Sequence, residues 1–189
     1  PARGLEGAYR LSYLVSDVDT VYPITIDPIF TQVKKLLPEG SDGAAHDNFG
    51  CSVSLSGDTA LVSAFSDDDN GIHSGSAYVF YRNKGGADNW GQVAKIISSD
   101  GAHTDFFGFS VALDGDTALV GARFDADYNF EVLGSAYVFY RNKGGADNWG
   151  QVAKITPDDN PAHDRFGDSV ILSGNMALVG APWGDDNGE

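Results

Sequence analysis

Apolar residues along the chain alternate with small or polar residues over short runs, and glycine-rich or acidic turns separate these runs. Such alternation predicts half-buried β-strands, and β-branched and aromatic residues favour the same structure. In one stretch of the chain the pattern predicts four consecutive strands, at Phe49–Leu55, Thr59–Ala64, Ser76–Tyr81 and Trp90–Ile96. No segment shows a sustained helical period. The sequence therefore predicts an all-β fold.

The four-strand pattern is repeated. The run Gly75–Ile96 recurs without change as Gly134–Ile155, 59 residues later. Four short antiparallel strands per repeat of this length are typical of a β-propeller blade. We predict N-terminal strands in 1–37, complete repeats at 38–97 and 98–156, and a partial third repeat at 157–189.

A second repeated element identifies the type of blade. A Phe-Gly pair occurs at Phe49-Gly50, Phe107-Gly108 and Phe166-Gly167, and each pair is followed by Val-Ser-Ala64, Val-Gly-Ala122 or Val-Gly-Ala181-Pro182. Over about residues 30 to 189, this order resembles the FG-GAP repeat of integrin α-chain heads and of many bacterial surface proteins. The resemblance implies a β-propeller at the cell surface or outside the cell, used for binding, adhesion or assembly.

The N-terminal segment has two interpretations. Val21–Pro28 looks like the end of a domain that often precedes such repeats in bacterial proteins. Alternatively, Gly7–Tyr13 and Phe30–Leu36 align with the third and fourth strands of a blade. In that case the chain amounts to three blade equivalents, whereas about four to eight surround a propeller axis.

The blade count predicts an incomplete or open propeller, completed either by missing sequence or by other copies of the chain. Half-blades offer unpaired strand edges. We therefore expect homo-oligomers or polymers, as a closed ring or an open filament. The alternative is a ligand-binding or cell-adhesion module that recognises a protein or glycan and depends on calcium.

Charge and composition exclude some partners. The 12 Lys+Arg against 27 Asp+Glu give a net charge of -15, which disfavours nucleic acid and anionic membrane surfaces. No run approaches the roughly 18 apolar residues of a membrane span. Cys51 is the only cysteine, so no disulfide can form within the chain. The aromatic residues of the repeated run are suited to stacking on sugars, but blade packing is the commoner use.

The acidic loops after the second strand of each repeat are the candidate metal sites. Calcium takes about six to eight oxygen ligands, commonly from alternating positions of one loop. The candidate ligands are Asp67, Asp69, Asp125, Asp127, Asn129 and Asp186. The alternative is that they stabilise solvated turns. The calcium loops of integrin-like repeats lie between the first two strands, where Ser56–Asp58 leaves no room, so that site is not carried over.

Catalytic motifs are absent from the sequence: there is no nucleophile elbow, phosphate loop or His-Glu-x-x-His. A histidine precedes each Phe-Gly pair, at His46, His103 and His163. Because equivalent positions on successive blades are spread apart, we expect a repeated structural turn here. The sequence thus favours a protein that is not an enzyme.

Overall fold

The computed structural model describes residues 11–14, 32–40, 42–126, 132–158 and 163–184. Its regular elements are twelve strands: β1 (Leu11–Leu14), β2 (Gln32–Leu36), β3 (Phe49–Ser56), β4 (Thr59–Ala64), β5 (Ser76–Tyr81), β6 (Gly91–Ile96), β7 (Phe107–Asp114), β8 (Thr117–Ala122), β9 (Ser135–Tyr140), β10 (Gly150–Ile155), β11 (Ser169–Ser173) and β12 (Met176–Gly180). These residues include no helix, and so none long and apolar enough to span a bilayer.

Consecutive strands form two complete antiparallel sheets, β3-β4-β5-β6 (blade 1) and β7-β8-β9-β10 (blade 2), and a two-stranded sheet, β11-β12 (blade 3). The prediction of four-stranded antiparallel blades in an open arrangement is confirmed, since the described sheets do not close on one another. The four strands predicted in the first repeat agree with the structure to within one residue.

The N-terminal strands pair differently. β1 and β2 are parallel, whereas the third and fourth strands of both complete blades are antiparallel. The rest of 1–31 lies outside the described residues, so the assignment of residues 1–37 to a half-blade or to a preceding domain stays a prediction.

The described residues form three hydrophobic clusters: two lie between successive blades, and the third packs Leu36 of β2 against blade 1. Leu61 and Val79 of blade 1 belong to one buried cluster with Val111, Leu113 and Trp149 of blade 2. A row of serines runs beside this core. The hydroxyl oxygens of Ser52, Ser54 and Ser56 accept hydrogen bonds of 3.1, 2.9 and 3.0 Å from the backbone N–H groups of Val111, Leu113 and Gly115.

The Phe-Gly pair fixes how close the blades approach. Phe107 is fully buried, and its N–H donates to the carbonyl of Ser74 in blade 1. Gly108 has φ +91°, and a Cβ there would lie 2.5 Å from the carbonyl oxygen of Ser76. Only glycine combines this left-handed backbone with so close a contact. The motif is therefore a joint between neighbouring blades.

Candidate functional site

The acidic loop of blade 1 presents a buried carboxylate. Asp67 follows β4, and its N–H bonds the carbonyl of Ala64. Its Oδ2 accepts hydrogen bonds from Ser76 Oγ at 3.0 Å, Tyr78 OH at 2.8 Å and Lys95 Nζ at 2.9 Å. The carboxylate thus joins the acidic loop to the third and fourth strands of its own blade.

Lys95 is the centre of this cluster. Its ammonium lies 2.7 Å from Asp42, 2.9 Å from Asp67 and 2.5 Å from Asp69. Burial would lower the pKa of Lys95, but hydrogen bonds to the three carboxylates raise it above its ordinary value. Burial would likewise raise the pKa of Asp67, and the bonds from Lys95 and Tyr78 hold it below its ordinary value. The cluster is a charge-assisted hydrogen-bond network in which three carboxylates share one ammonium.

Blade 2 contains the same arrangement. Lys154 Nζ lies 2.7 Å from both Asp100 and Asp125, and the hydroxyl of Tyr137 lies within hydrogen-bond distance of both carboxylates. A cavity of about 390 Å³ is lined by Asp100, Asp105, Asp125 and Lys154, among other residues. Burial, together with the charge of Asp125, raises the pKa of Asp105 to about 6, although the N–H of Ala102 opposes the shift.

The clusters are suited to holding a blade together. Each one ties the loop after the second strand to the fourth strand and to the loop that precedes the first. They occur once per complete blade, at equivalent positions. Chemically, they offer carboxylates already engaged by ammonium and phenol groups.

The predicted calcium ligands are distributed as follows. Asp67 and Asp69 come together with Asp42, and one oxygen from each lies within 4.8 Å of the others, around Lys95. Asp125 lies in the equivalent cluster of blade 2. Asp127, Asn129 and Asp186 lie outside the described residues, so calcium binding stays a prediction.

The sequence interpretation missed the two lysines and Asp42 and Asp100. A signal for the lysines was available, because Lys95 and Lys154 stand at the same place in two identical strands. The tyrosines were expected to serve blade packing, and Tyr78 and Tyr137 are indeed fully buried. The turn expected at the histidines is present. His46 and His163 have φ values of +82° and +75°, but Thr104, not His103, takes the equivalent position, with φ +68°.

The outer faces of the described sheets form a second candidate site. Val53 and Leu55 correspond by repeat position to Val111 and Leu113. Val111 and Leu113 pack against blade 1 and are each only 7% exposed, whereas Val53 and Leu55 are 50% and 62% exposed. At the other end, Leu178 is 72% exposed, whereas its counterparts Leu61 and Leu119 are fully buried against the next blade. We call Cys51, Val53 and Leu55 the leading face, and Ile171, Leu178 and Trp183 the trailing face.

Comparison with known families bears on these repeats. The profile of the FG-GAP repeat family matches the chain three times, at residues 30–80, 90–139 and 149–189, which together are most of its length. The chain belongs to the FG-GAP repeat family. The match at 90–139 begins at the fourth strand of blade 1 and runs into the third strand of blade 2, so the family repeat straddles two blades. A comparison with curated proteins found no match to the sequence.

Contacts between blades give the Phe-Gly and Val-Gly-Ala elements of this repeat a physical explanation. The Phe-Gly of one FG-GAP repeat packs on the preceding blade, and Gly121 of the Val-Gly-Ala element lies against the carbonyl of Gly167 in the following one. FG-GAP repeats form β-propeller modules and typically occur in extracellular or surface proteins.

Proposed function

We propose that this chain is a non-enzymatic structural module of an extracellular assembly, and that copies associate head to tail through the leading and trailing faces into a ring or filament. The observation that carries the proposal is the equivalence of these faces to the two sides of the internal blade interface. Val53 and Leu55 repeat the side formed by Val111 and Leu113, and Leu178 repeats the side formed by Leu61.

The physical reason for association is burial of apolar surface. Fully burying a leucine or valine side chain contributes about 1.5–3 kcal/mol. The internal interface shows that these two kinds of face fit, with serine hydroxyls bonded to the facing backbone. Because the leading and trailing faces differ, the contact is heterologous, and it closes into a ring or continues as a filament according to the rotation per copy.

The proposal of a non-enzymatic role is supported by the state of the acidic groups. In the two complete blades, Asp67 and Asp125 each bond to an ammonium and a phenol, which leaves these two carboxylates little capacity to bind substrate. The two clusters lie in different blades, so they do not combine into one site.

Two variants test the polarity of the association. Leu178→Asp places a charge on the trailing face and Leu55→Asp places one on the leading face. We expect wild-type chain to associate in sedimentation velocity as its concentration rises, and each variant alone to stay monomeric. An equimolar mixture should form dimers and nothing larger, because each variant keeps one intact face. Ile72→Asp, at an exposed loop residue, is the matched control and should behave as wild type.

The head-to-tail proposal is wrong if the single variants associate like wild type, or if their mixture stays monomeric while wild-type chain polymerises. A wild-type chain that is monomeric at all concentrations also contradicts it.

Calcium-dependent adhesion is the second candidate. The observation in its favour is the close grouping of Asp42, Asp67 and Asp69, whose oxygens lie within 4.8 Å of one another. Calcium would have to displace the ammonium of Lys95 from this group. Calorimetric titration of the chain with calcium is the test. Binding heat together with a higher melting temperature supports this function, and the absence of both excludes it.

A further inference from the structure

The loop between the third and fourth strands of blade 2 reaches back to blade 1. We call Arg141, Asp147 and Trp149 the clasp. Tyr81 OH of blade 1 donates to Asp147 Oδ1 at 2.7 Å, and Trp149 Nε1 donates to the hydroxyl oxygen of Tyr81 at 3.1 Å. The guanidinium of Arg141 lies 4.6 Å from the centroid of the tyrosine ring. One tyrosine is thus held by three side chains of the neighbouring blade.

The clasp is preformed by its own loop. Arg141 Nε lies 2.6 Å from Asp147 Oδ1, and Arg82 Nε of blade 1 lies at the same 2.6 Å from Asp88 Oδ1. In both loops an asparagine side chain also accepts the aspartate N–H at 3.1 Å. The local sequence therefore sets this geometry in each blade, so little ordering remains when the loop meets a tyrosine.

Tyr140 is the counterpart of Tyr81 on blade 2. Both end the third strand of their blade and pair with an equivalent threonine of the second strand. Tyr140 is 51% exposed, in a cleft lined by Asp116, Arg141 and Lys143, among other residues. No clasp among the described residues contacts it.

A second feature of the same end is the edge of β12. In blades 1 and 2, the second strand pairs with the first strand on one side and with the third on the other. β12 pairs with β11, and no other described strand pairs with it. In blade 2, the hairpin β9–β10 pairs with β8, and its loop reaches Tyr81 of blade 1. A hairpin that paired with β12 in the same way would bring its loop to Tyr140 of blade 2.

We propose that Tyr140 and the edge of β12 that no described strand covers form one docking site for a β-hairpin of an FG-GAP repeat that carries the Arg-Asn-Lys-Gly-Gly-Ala-Asp-Asn-Trp loop. The hairpin adds to β12 through main-chain hydrogen bonds, and its Asp and Trp side chains bind the Tyr140 hydroxyl. This inference goes beyond the proposed function, because it concerns the hairpin that completes blade 3 and not the apolar faces.

The test uses a fluorescent peptide with the sequence of Gly134–Ile155 and the full chain, in a fluorescence-anisotropy titration. We expect saturable binding and slower hydrogen exchange at residues 176–180. Tyr140→Phe keeps the ring and removes the hydroxyl, so the affinity should fall by about tenfold or more, as expected for hydrogen bonds to a charged group. A peptide with Asn in place of its aspartate and Ala in place of its tryptophan should lose a similar factor.

The proposal is overturned if no saturable binding occurs, if a scrambled peptide binds as tightly, or if Tyr140→Phe leaves the affinity unchanged. The Leu55→Asp variant makes the outcome independent of self-association, because its trailing end is intact and it is expected to be monomeric. Peptide binding to this variant without any association of wild-type chain supports the docking site and rejects the proposed function. The reverse result rejects the docking site alone.

Discussion

Removing the ammonium of Lys95 is the sharpest test of the internal cluster. The Lys95→Met variant keeps most of the aliphatic stem but leaves Asp67, whose side chain is 3% exposed, as a buried charge with no cation. Loss of one partner from a buried ion pair costs about 3–5 kcal/mol. The pair with Asp69, whose side chain is 54% exposed, adds less than about 1 kcal/mol. Since methionine recovers part of the packing, we expect a loss of about 3–4 kcal/mol at pH 7.

The pH dependence of this loss has a definite sign. In wild-type chain the pKa of Asp67 is lowered, so its contribution to stability is present above the unfolded value of about 3.9 and is lost as pH falls through the folded pKa. Without Lys95, burial raises that pKa, and the penalty disappears as the carboxyl protonates. The difference between variant and wild type should therefore be largest near neutral pH and shrink towards pH 4.

Urea denaturation of four variants, Lys95→Met, Asp67→Asn, the double variant and Lys84→Met, measures the effect. Asp67→Asn combined with Lys95→Met should recover much of the stability lost in Lys95→Met alone, because the buried charge is gone. Lys84→Met, at an exposed lysine, should stay within about 0.5 kcal/mol of wild type. A cost below about 1 kcal/mol for Lys95→Met, or the same cost with and without Asp67, would refute the assignment of a buried ion pair.

Three further predictions follow from the blade joints and the second cluster. Gly108→Ala should destabilise the chain by more than about 3 kcal/mol in thermal denaturation, because the added Cβ would lie 2.5 Å from the Ser76 carbonyl oxygen. Gly115→Ala is the control: its φ is +55° but no atom lies within 4 Å of the added Cβ, so it should cost about 1–2 kcal/mol. Tyr81→Phe should lower the free energy of unfolding by about 1.5–3 kcal/mol by breaking the bond to Asp147, and Tyr140→Phe should change it by less than about 0.5 kcal/mol; equal effects would contradict the clasp. Because the pKa of Asp105 is raised to about 6, its ionisation should lower stability as pH rises from about 4 to 6, and Asp105→Asn should remove that component from a pH series of melting temperatures.

Sequence patterns predicted the strands well because turn residues and alternation act locally. The third strand is Ser76–Tyr81 in both prediction and structure, and the second is Thr59–Ala64 in both. The alternation in β3 also places Val53 and Leu55 on one side of the strand and the serines on the other. The serine side faces blade 2, which comes later in the chain, so the hydrogen bonds of Ser52 and Ser54 to blade 2 could not be predicted from the local sequence.

The candidate site was predicted less completely for the same reason. Acidic residues in one loop are visible in sequence, and Asp67 and Asp69 were found in this way. Lys95 lies 28 and 26 positions after Asp67 and Asp69, and Asp42 lies 25 and 27 positions before them. Only folding brings these residues together. A lysine in a strand is ordinarily solvated, so its burial among three carboxylates becomes evident only when the sheet register places it beside the acidic loop.

Chemical cross-linking at the ends tests the central claim most directly. Phe109 of blade 2 lies 5.5 Å from Phe65 of blade 1, between ring centroids. Cys51 holds the place of Phe109 in the first repeat, and Pro182, which is exposed, holds the place of Phe65 in the third. Head-to-tail association therefore brings Cys51 of one copy beside Pro182 of the next. With a short bis-maleimide, Pro182→Cys should give covalent dimers and higher multimers, whereas wild-type chain and Ile72→Cys should not. Equal cross-linking of all three proteins, or none with Pro182→Cys, would contradict head-to-tail assembly.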